Sequence, residues 1–287
     1  VVRVLPYVPD EQHRYQMEEE VASERRCVRE SMSSLVPRRL SRFGFVLFLC
    51  ILSGCSRDQE AASREPVATP AIDPQTAGYF NVSVQFSGTP PEPKAIVMRS
   101  APQCAKLHEE PVYDRAVVVQ NGRLANAVVW VEAGLEGLSF PPRKEPMVID
   151  QKGCLYTPRV AVVTVGQPVE FRNSDPEPHN VHIKAKANRG ANFMLNRTGT
   201  SRSVTFTVPE VAVTVGCDVH PWMVAHVVVL PHPFGAVTNG AGSARIGPLP
   251  PGEYTVAVWH EVFGKREQRV RLEPRAEASV EFHFGDG

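Results

Sequence analysis

Four stretches of the 287-residue chain alternate apolar and polar side chains with a period of two: YFNVSVQF (79–86), LANAVVWVE (124–132), SVTFTV (203–208) and YTVAVWH (254–260). A pleated strand sends successive side chains to opposite faces, so each stretch reads as a strand with one face toward a core. Turn formers fall between them, at Asn121-Gly122, Gly166-Gln167, Asn239-Gly240 and Pro250-Pro251-Gly252. No segment sustains a helical apolar period for more than two turns, and there is no internal repeat. The fold class is therefore all-β, an antiparallel sandwich or barrel. Hydrophobic residues make up 43% of the chain and the formal net charge is zero, which supports a packed core and argues against disorder or phosphate tracking along a nucleic acid.

The N-terminal fifth has a different character. Residues 1–31 are rich in Glu and Arg without an apolar period, and they read as an over-extended start upstream of Met32. From 32 to 55 the sequence MSSLVPRRLSRFGFVLFLCILSGC has basic residues at Arg38, Arg39 and Arg42, then an apolar run from Phe43 to Leu52, then small residues. That is the layout of a secretory signal. The run is too short to cross the roughly 30 Å of bilayer hydrocarbon. The closing LSGC resembles the lipobox of bacterial lipoproteins, a likeness that implies lipidation of Cys55; an ordinary cleaved signal is the alternative. Residues 56–78 are polar and proline-containing, as in a solvated tether with an average reach of roughly 25 Å. Without residues 1–55 the chain remains close to neutral, and nothing in it calls for a highly charged partner.

Three cysteines follow the tether, at 104, 154 and 217. An exported protein folds where disulfides persist. Cys217 belongs to a separate cluster, so Cys104 and Cys154 are the expected pair, with two buried free thiols as the other possibility. The cluster is GCDVHPWM (216–223), which places Cys217, His220 and Met223 on one short loop. A thiolate, an imidazole and a thioether are soft ligands that suit copper far better than magnesium or calcium. A blue-copper site needs a second histidine, and NSDPEPHNVHI (173–183) supplies His179 at the start of an apolar run. Asn180 is placed to hydrogen-bond to the cysteine loop. His182, three positions on, points to the opposite face of a regular strand.

PHNVHI followed by CDVHPWM and the apolar AHVVVL resembles the small blue-copper proteins, the cupredoxins, and among them the amicyanins and plastocyanins. The likeness covers residues 158–231. It implies a cupredoxin Greek-key β-sandwich binding one type 1 copper through His179, Cys217, His220 and Met223. It further implies single-electron transfer through an exposed edge of His220, with Pro221 and Trp222 in an apolar docking patch. Partners would be a c-type cytochrome or a periplasmic dehydrogenase, with no nucleic acid. Copper buffering or delivery would use the same ligands. Multicopper oxidases and copper nitrite reductases need a histidine beside the copper cysteine, whereas Cys217 lies between Gly216 and Asp218; a binuclear copper site needs two cysteines on the loop. A non-enzymatic carrier is therefore expected.

The tail GAVTNGAGSARIGPLPPGEYTVAVWHE resembles transthyretin-like or carboxypeptidase-regulatory β-sandwiches. The expected division is 79–150 for N-terminal strands, 151–232 for the copper core and 233–287 for the C-terminal β region. The first and last of these either pair to frame the core or form sequential domains. His226, His232, His260 and His283 read as solvated or hydrogen-bonded residues, and WHE (259–261) as a conceivable external site. Met194 is a rival axial ligand without the loop spacing. The expected location is the periplasmic face of a bacterial membrane, and Ser56 after the lipidated cysteine favours the outer one.

Overall fold

A computed structural model describes residues 72–285. The expectations for residues 1–31, for the leader with Cys55, and for the tether as far as residue 71 lie outside the described residues.

The strands in chain order are β1 (Gly78–Ser87), β2 (Val119–Gln120), β3 (Arg123–Leu124), β4 (Val128–Ala133), β5 (Met147–Gln151) and β6 (Tyr156–Thr157). Next come β7 (Val160–Thr164), β8 (Pro168–Asn173), β9 (His179–Lys184), β10 (Ala191–Leu195), β11 (Ser201–Thr205) and β12 (Glu210–Gly216). The last six are β13 (Val224–Leu230), β14 (Gly235–Val237), β15 (Ser243–Leu249), β16 (Gly252–His260), β17 (Gly264–Leu272) and β18 (Glu277–Gly285). One short helix, α1 (Pro102–Ala105), interrupts the long connection from β1 to β2.

These strands form four sheets. One has the order β15-β1-β3-β2, with β18 alongside β1 in parallel; the second is β14-β4-β16-β17. The third is β10-β9-β12-β13-β7 and the fourth β11-β8-β5-β6. Strands β5 to β13 thus make one sandwich, and the strands on either side of them in the chain make another. The two crossings between sandwiches run side by side, because β4 pairs antiparallel with β14 from Val128↔Val237 to Trp130↔Gly235.

Three apolar cores separate the four sheets. Phe80, Val82 and Val84 of β1, with Phe282 and Phe284 of β18, meet Val129 and Val131 of β4 and Val256 and Val258 of β16. The opposite face of that second sheet carries Val128, Trp130 and Ala257, which pack on Val160 and Val162 of β7 and Val228 and Leu230 of β13. Beyond them, Ala161, Val181, Ile183, Val215 and Val227 close on Ile149, Val169 and Phe171 of the fourth sheet. The two middle sheets are buried on both faces at β4, β7 and β13. Their sequences VVWV (128–131), VAVV (160–163) and VVVL (227–230) are accordingly apolar without alternation. Each such side chain contributes about 1.5–3 kcal/mol by leaving water. Gly235 leaves room where β14 meets this middle core, since a Cβ there would press on the side chains of Leu230 and Val162.

Candidate metal centre

β9 starts at His179 and runs antiparallel to β12, with Gly216 opposite His182, so Cys217 leaves its strand beside the first residues of β9. The loop then turns back, with the Met223 N–H donating to the His220 carbonyl (2.9 Å), and enters β13 at Val224. Two strand ends and one tight loop therefore bring together residues that lie about forty positions apart. His179 Nδ1 and His220 Nδ1 are 3.1 Å apart, and Cys217 Sγ is 3.9 Å from His220 Nδ1. These three atoms all lie within 4.8 Å of one another. Met223 is fully buried in the same core cluster as Cys217. Cys217 is the one cysteine among the described residues outside a disulfide.

The surroundings orient the donors. His179 Nε2 lies 2.9 Å from Asp175 Oδ2, which leaves Nδ1 directed at the other donors. The same buried carboxylate accepts the N–H groups of Gly153 and Cys154, each at 2.7 Å. Burial raises the Asp175 pKa, but the His179 hydrogen bond, reinforced by the two amides, holds it below the usual carboxylate range. Burial pushes His179 down, and the hydrogen bonds to Asp175 and then to Cys217 outweigh it, holding its pKa up at about 9. For Cys217 the largest influence is again burial, which raises it; hydrogen bonding from His179 and from the Asn180 amide (N to Sγ, 3.4 Å) brings the net shift downward. His220 is lowered by burial and then by the charge on His179. The site favours a thiolate and a neutral second imidazole, the forms a metal takes, whereas His179 is held protonated and gives up its proton when a metal binds.

Asn180 ties the loop to its strand, accepting the Asp218 N–H on its side-chain oxygen (3.0 Å). Sequence reasoning missed the Tyr156 hydroxyl, which lies 2.8 Å from the Asn180 carbonyl oxygen and 3.0 Å from that of Gly216. It bridges the two ligand-bearing strands. Asp175 was also missed, although its place four residues before His179 was a usable signal.

The largest departure from the sequence reading concerns His220, which is only 5% exposed and so has almost no edge at the surface. Its Nε2 faces Cys104 Sγ at 3.4 Å, and Cys104 is bonded to Cys154. The segment from Ala95 to Tyr113, closed at its base by a bridge between those two residues, lies over the ligand loop. His108 pins it further through the Gly153 carbonyl (2.8 Å). Pro221 is exposed, while Trp222 is half-buried, donates from Nε1 to the Cys154 carbonyl (3.0 Å) and has its ring centroid 5.2 Å from that of His220.

The remaining histidines sit apart from the donors. His182 pairs with Asp218 at 2.9 Å, His232 with the Val131 carbonyl at 2.8 Å and His283 with Glu281 at 2.8 Å. Met194, on β10, is 44% exposed and so is not enclosed with the ligands. WHE is not an external site. His260 is fully buried, stacked on Phe263, and Glu261 pairs with Arg159 at 2.6 Å and lies 3.4 Å from His226.

No family model matches the chain, and no curated protein does. Among solved structures, a Cu-containing nitrite reductase from Thermus scotoductus SA-01 is 22% identical over 34% of this chain and 24% of its own, with a TM-score of 0.28. A methionine-to-glutamine variant of amicyanin in the Cu(I) state is 30% identical over 29% of this chain and 81% of its own, with a TM-score of 0.27. A methionine-to-alanine variant of amicyanin is 25% identical over 35% and 97%, again with a TM-score of 0.27. These neighbours are cupredoxins, and each covers about a third of this chain.

Proposed function

We infer that this chain is a type 1 copper protein that carries single electrons, with one metal site at His179, Cys217, His220 and Met223. The observation that carries this reading is the convergence of two imidazole Nδ1 atoms on one free, buried thiol. The donor set fits copper: two nitrogens and a thiolate, with a buried thioether supplied by the same loop, are the ligand types that copper takes. Copper bound there would supply reversible one-electron chemistry. The chain's own residues hold the ligands still: Asp175 fixes the His179 ring, while Asn180 and Tyr156 hold the loop against its strand.

The buried ligands favour a carrier over the two rival readings. Delivery requires the metal to leave, and His220 lies under a disulfide-fastened segment. An enzymatic copper needs an open position for substrate. Export, a lipid anchor at Cys55 and a membrane-facing location belong to the same proposal, as does a redox partner such as a c-type cytochrome or a dehydrogenase. The outer sandwich, with its transthyretin-like tail, would support the covering segment.

The test is an optical spectrum of the purified chain loaded with Cu(II), before and after a mild reductant. The expected result is an intense visible thiolate-to-copper band that bleaches reversibly and is absent from Cys217→Ser. A pale protein that binds Cu(II) without that band would overturn the reading.

A further inference from the structure

None of the four ligand side chains is open to solvent, since His179 and Met223 are fully buried and Cys217 and His220 nearly so. The outer nitrogens of both imidazoles are already engaged, one by Asp175 and the other by Cys104. An electron carrier with this centre needs another way out. Tunnelling weakens steeply with distance, so the route is set by which group spans the gap between ligand and surface.

We propose that Trp222 is the point at which electrons enter and leave, and that the pocket it lines seats a negatively charged group of the redox partner. This rests on the electron-transfer reading above. The indole lies against His220 with ring centroids 5.2 Å apart, and its N–H is fixed on the Cys154 carbonyl, so it stands in one orientation. It lines a pocket of about 210 Å³, together with Tyr113, Arg115, Pro158 and Arg159. Val219 and Pro221 are also exposed on the ligand loop, but both are saturated and offer no aromatic ring next to His220. The pocket lining itself carries two guanidinium groups, Arg115 and Arg159, and no carboxylate. Arg159 is matched by Glu261 and Asp114, while exposed Arg115 has no ion-pair partner among the described residues. A carboxylate-bearing partner would meet that guanidinium at the rim.

The step itself is simple: the partner loses one electron, Cu(II) becomes Cu(I), and no bond or proton is exchanged. The probes are two small outer-sphere couples, anionic ferrocyanide/ferricyanide and cationic hexaammineruthenium, each followed by stopped flow in its downhill direction on the copper-loaded chain. Trp222→Leu is expected to slow both by roughly tenfold or more, while Trp222→Phe, which keeps a ring, stays within about twofold of wild type. Arg115→Ser is expected to slow the anionic couple alone. The visible band and the reduction potential should stay in place in all three variants, which separates a lost route from a damaged centre. If Trp222→Leu fails to fold, Tyr113→Cys labelled with a bulky maleimide closes the same pocket from an exposed position, and the unlabelled variant is its control.

Wild-type rates in Trp222→Leu, or in the labelled Tyr113→Cys where the former does not fold, would overturn the route. An unchanged anionic rate in Arg115→Ser would overturn the anionic seat. Absence of the visible band in the wild type is a different failure, because it removes the copper reading before any rate is measured.

Discussion

Asp175 does two jobs with one carboxylate. It fixes the tautomer and direction of His179, and it holds the Gly153-Cys154 turn to which the covering segment is fastened. Replacing it with Asn removes the charge and leaves a single acceptor oxygen. Groups that orient a metal-bound histidine in this way are typically worth 10–100-fold in affinity. Asp175→Asn should therefore bind copper about 10–100-fold more weakly in competition with a chromophoric chelator. Unchanged affinity would mean that the pair is not orienting the ligand. At this scale the donors were legible, because Cys217, His220 and Met223 occupy one loop and His179 opens a strand. Of the groups around them, Asn180 was legible beside His179, and Asp175 offered a local signal four residues before it that was passed over. Tyr156 was not legible, because its contacts exist only after β6, β9 and β12 have come together, and no local pattern records that closure.

The covering segment is a loop of the outer sandwich placed over the metal end of the inner one. Its disulfide joins residues 50 positions apart, for which the chain-entropy relation gives about 4 kcal/mol of stabilisation. In the double variant Cys104→Ala/Cys154→Ala the denaturant midpoint should fall accordingly. Copper should also be stripped faster by an excess of chelator, since nothing then fastens the segment over His220. Equal stripping rates would show that the segment is no barrier. Among the strands, β1 was readable as an alternating run, and its side chains do alternate between buried and half-buried. β17, GKREQRVRL, was not, because only Val270 and Leu272 among its side chains reach the core. It is a strand because β16 offers it a full ladder from Gly252↔Leu272 to His260↔Gly264. Its charges suit the edge of a sheet, where an apolar face would invite another chain. The two-sided burial of β4 was also missed: VVWV sat inside a stretch taken as period two, although four apolar residues in succession mark a strand between two cores.

Across the whole molecule, Arg159 at the entrance to β7 joins three parts: Glu261 of the outer sandwich at 2.6 Å, Asp114 directly after the covering segment at 3.2 Å, and its own inner sheet. Burial pushes Glu261 up, but the Arg159 hydrogen bond and charge, with His226, hold its pKa at about 2, below an ordinary value of 4.5. Its share of the stability is thus complete above pH 4.5 and is lost as pH falls toward 2. His260 is held down at about 4 from 6.5, mainly by burial. The unfolded chain takes up that proton first, so stability declines between pH 6.5 and 4 and this contribution is flat below. Acid melting curves should therefore begin to fall near pH 6.5 and keep falling below 4.5. In Glu261→Gln the deficit relative to wild type should be constant above pH 4.5 and shrink below it. A deficit independent of pH down to 2 would show that the carboxylate is not ionised in the pair. Nothing in WHE announced this junction, because its partner Arg159 stands about a hundred positions away.

The pairing of β4 with β14 also bears on the order of folding. Val128 and Val237 face each other across a loop of more than a hundred residues, and closing so long a loop as free coil is entropically costly and slow. That loop is the inner sandwich. Once β5 to β13 have condensed, the two flanking strands emerge from a body that already holds their ends close, and the outer ladder has little left to search for. The topology therefore predicts assembly from the inside outward, with the metal-bearing half serving as the template on which the flanking strands find each other.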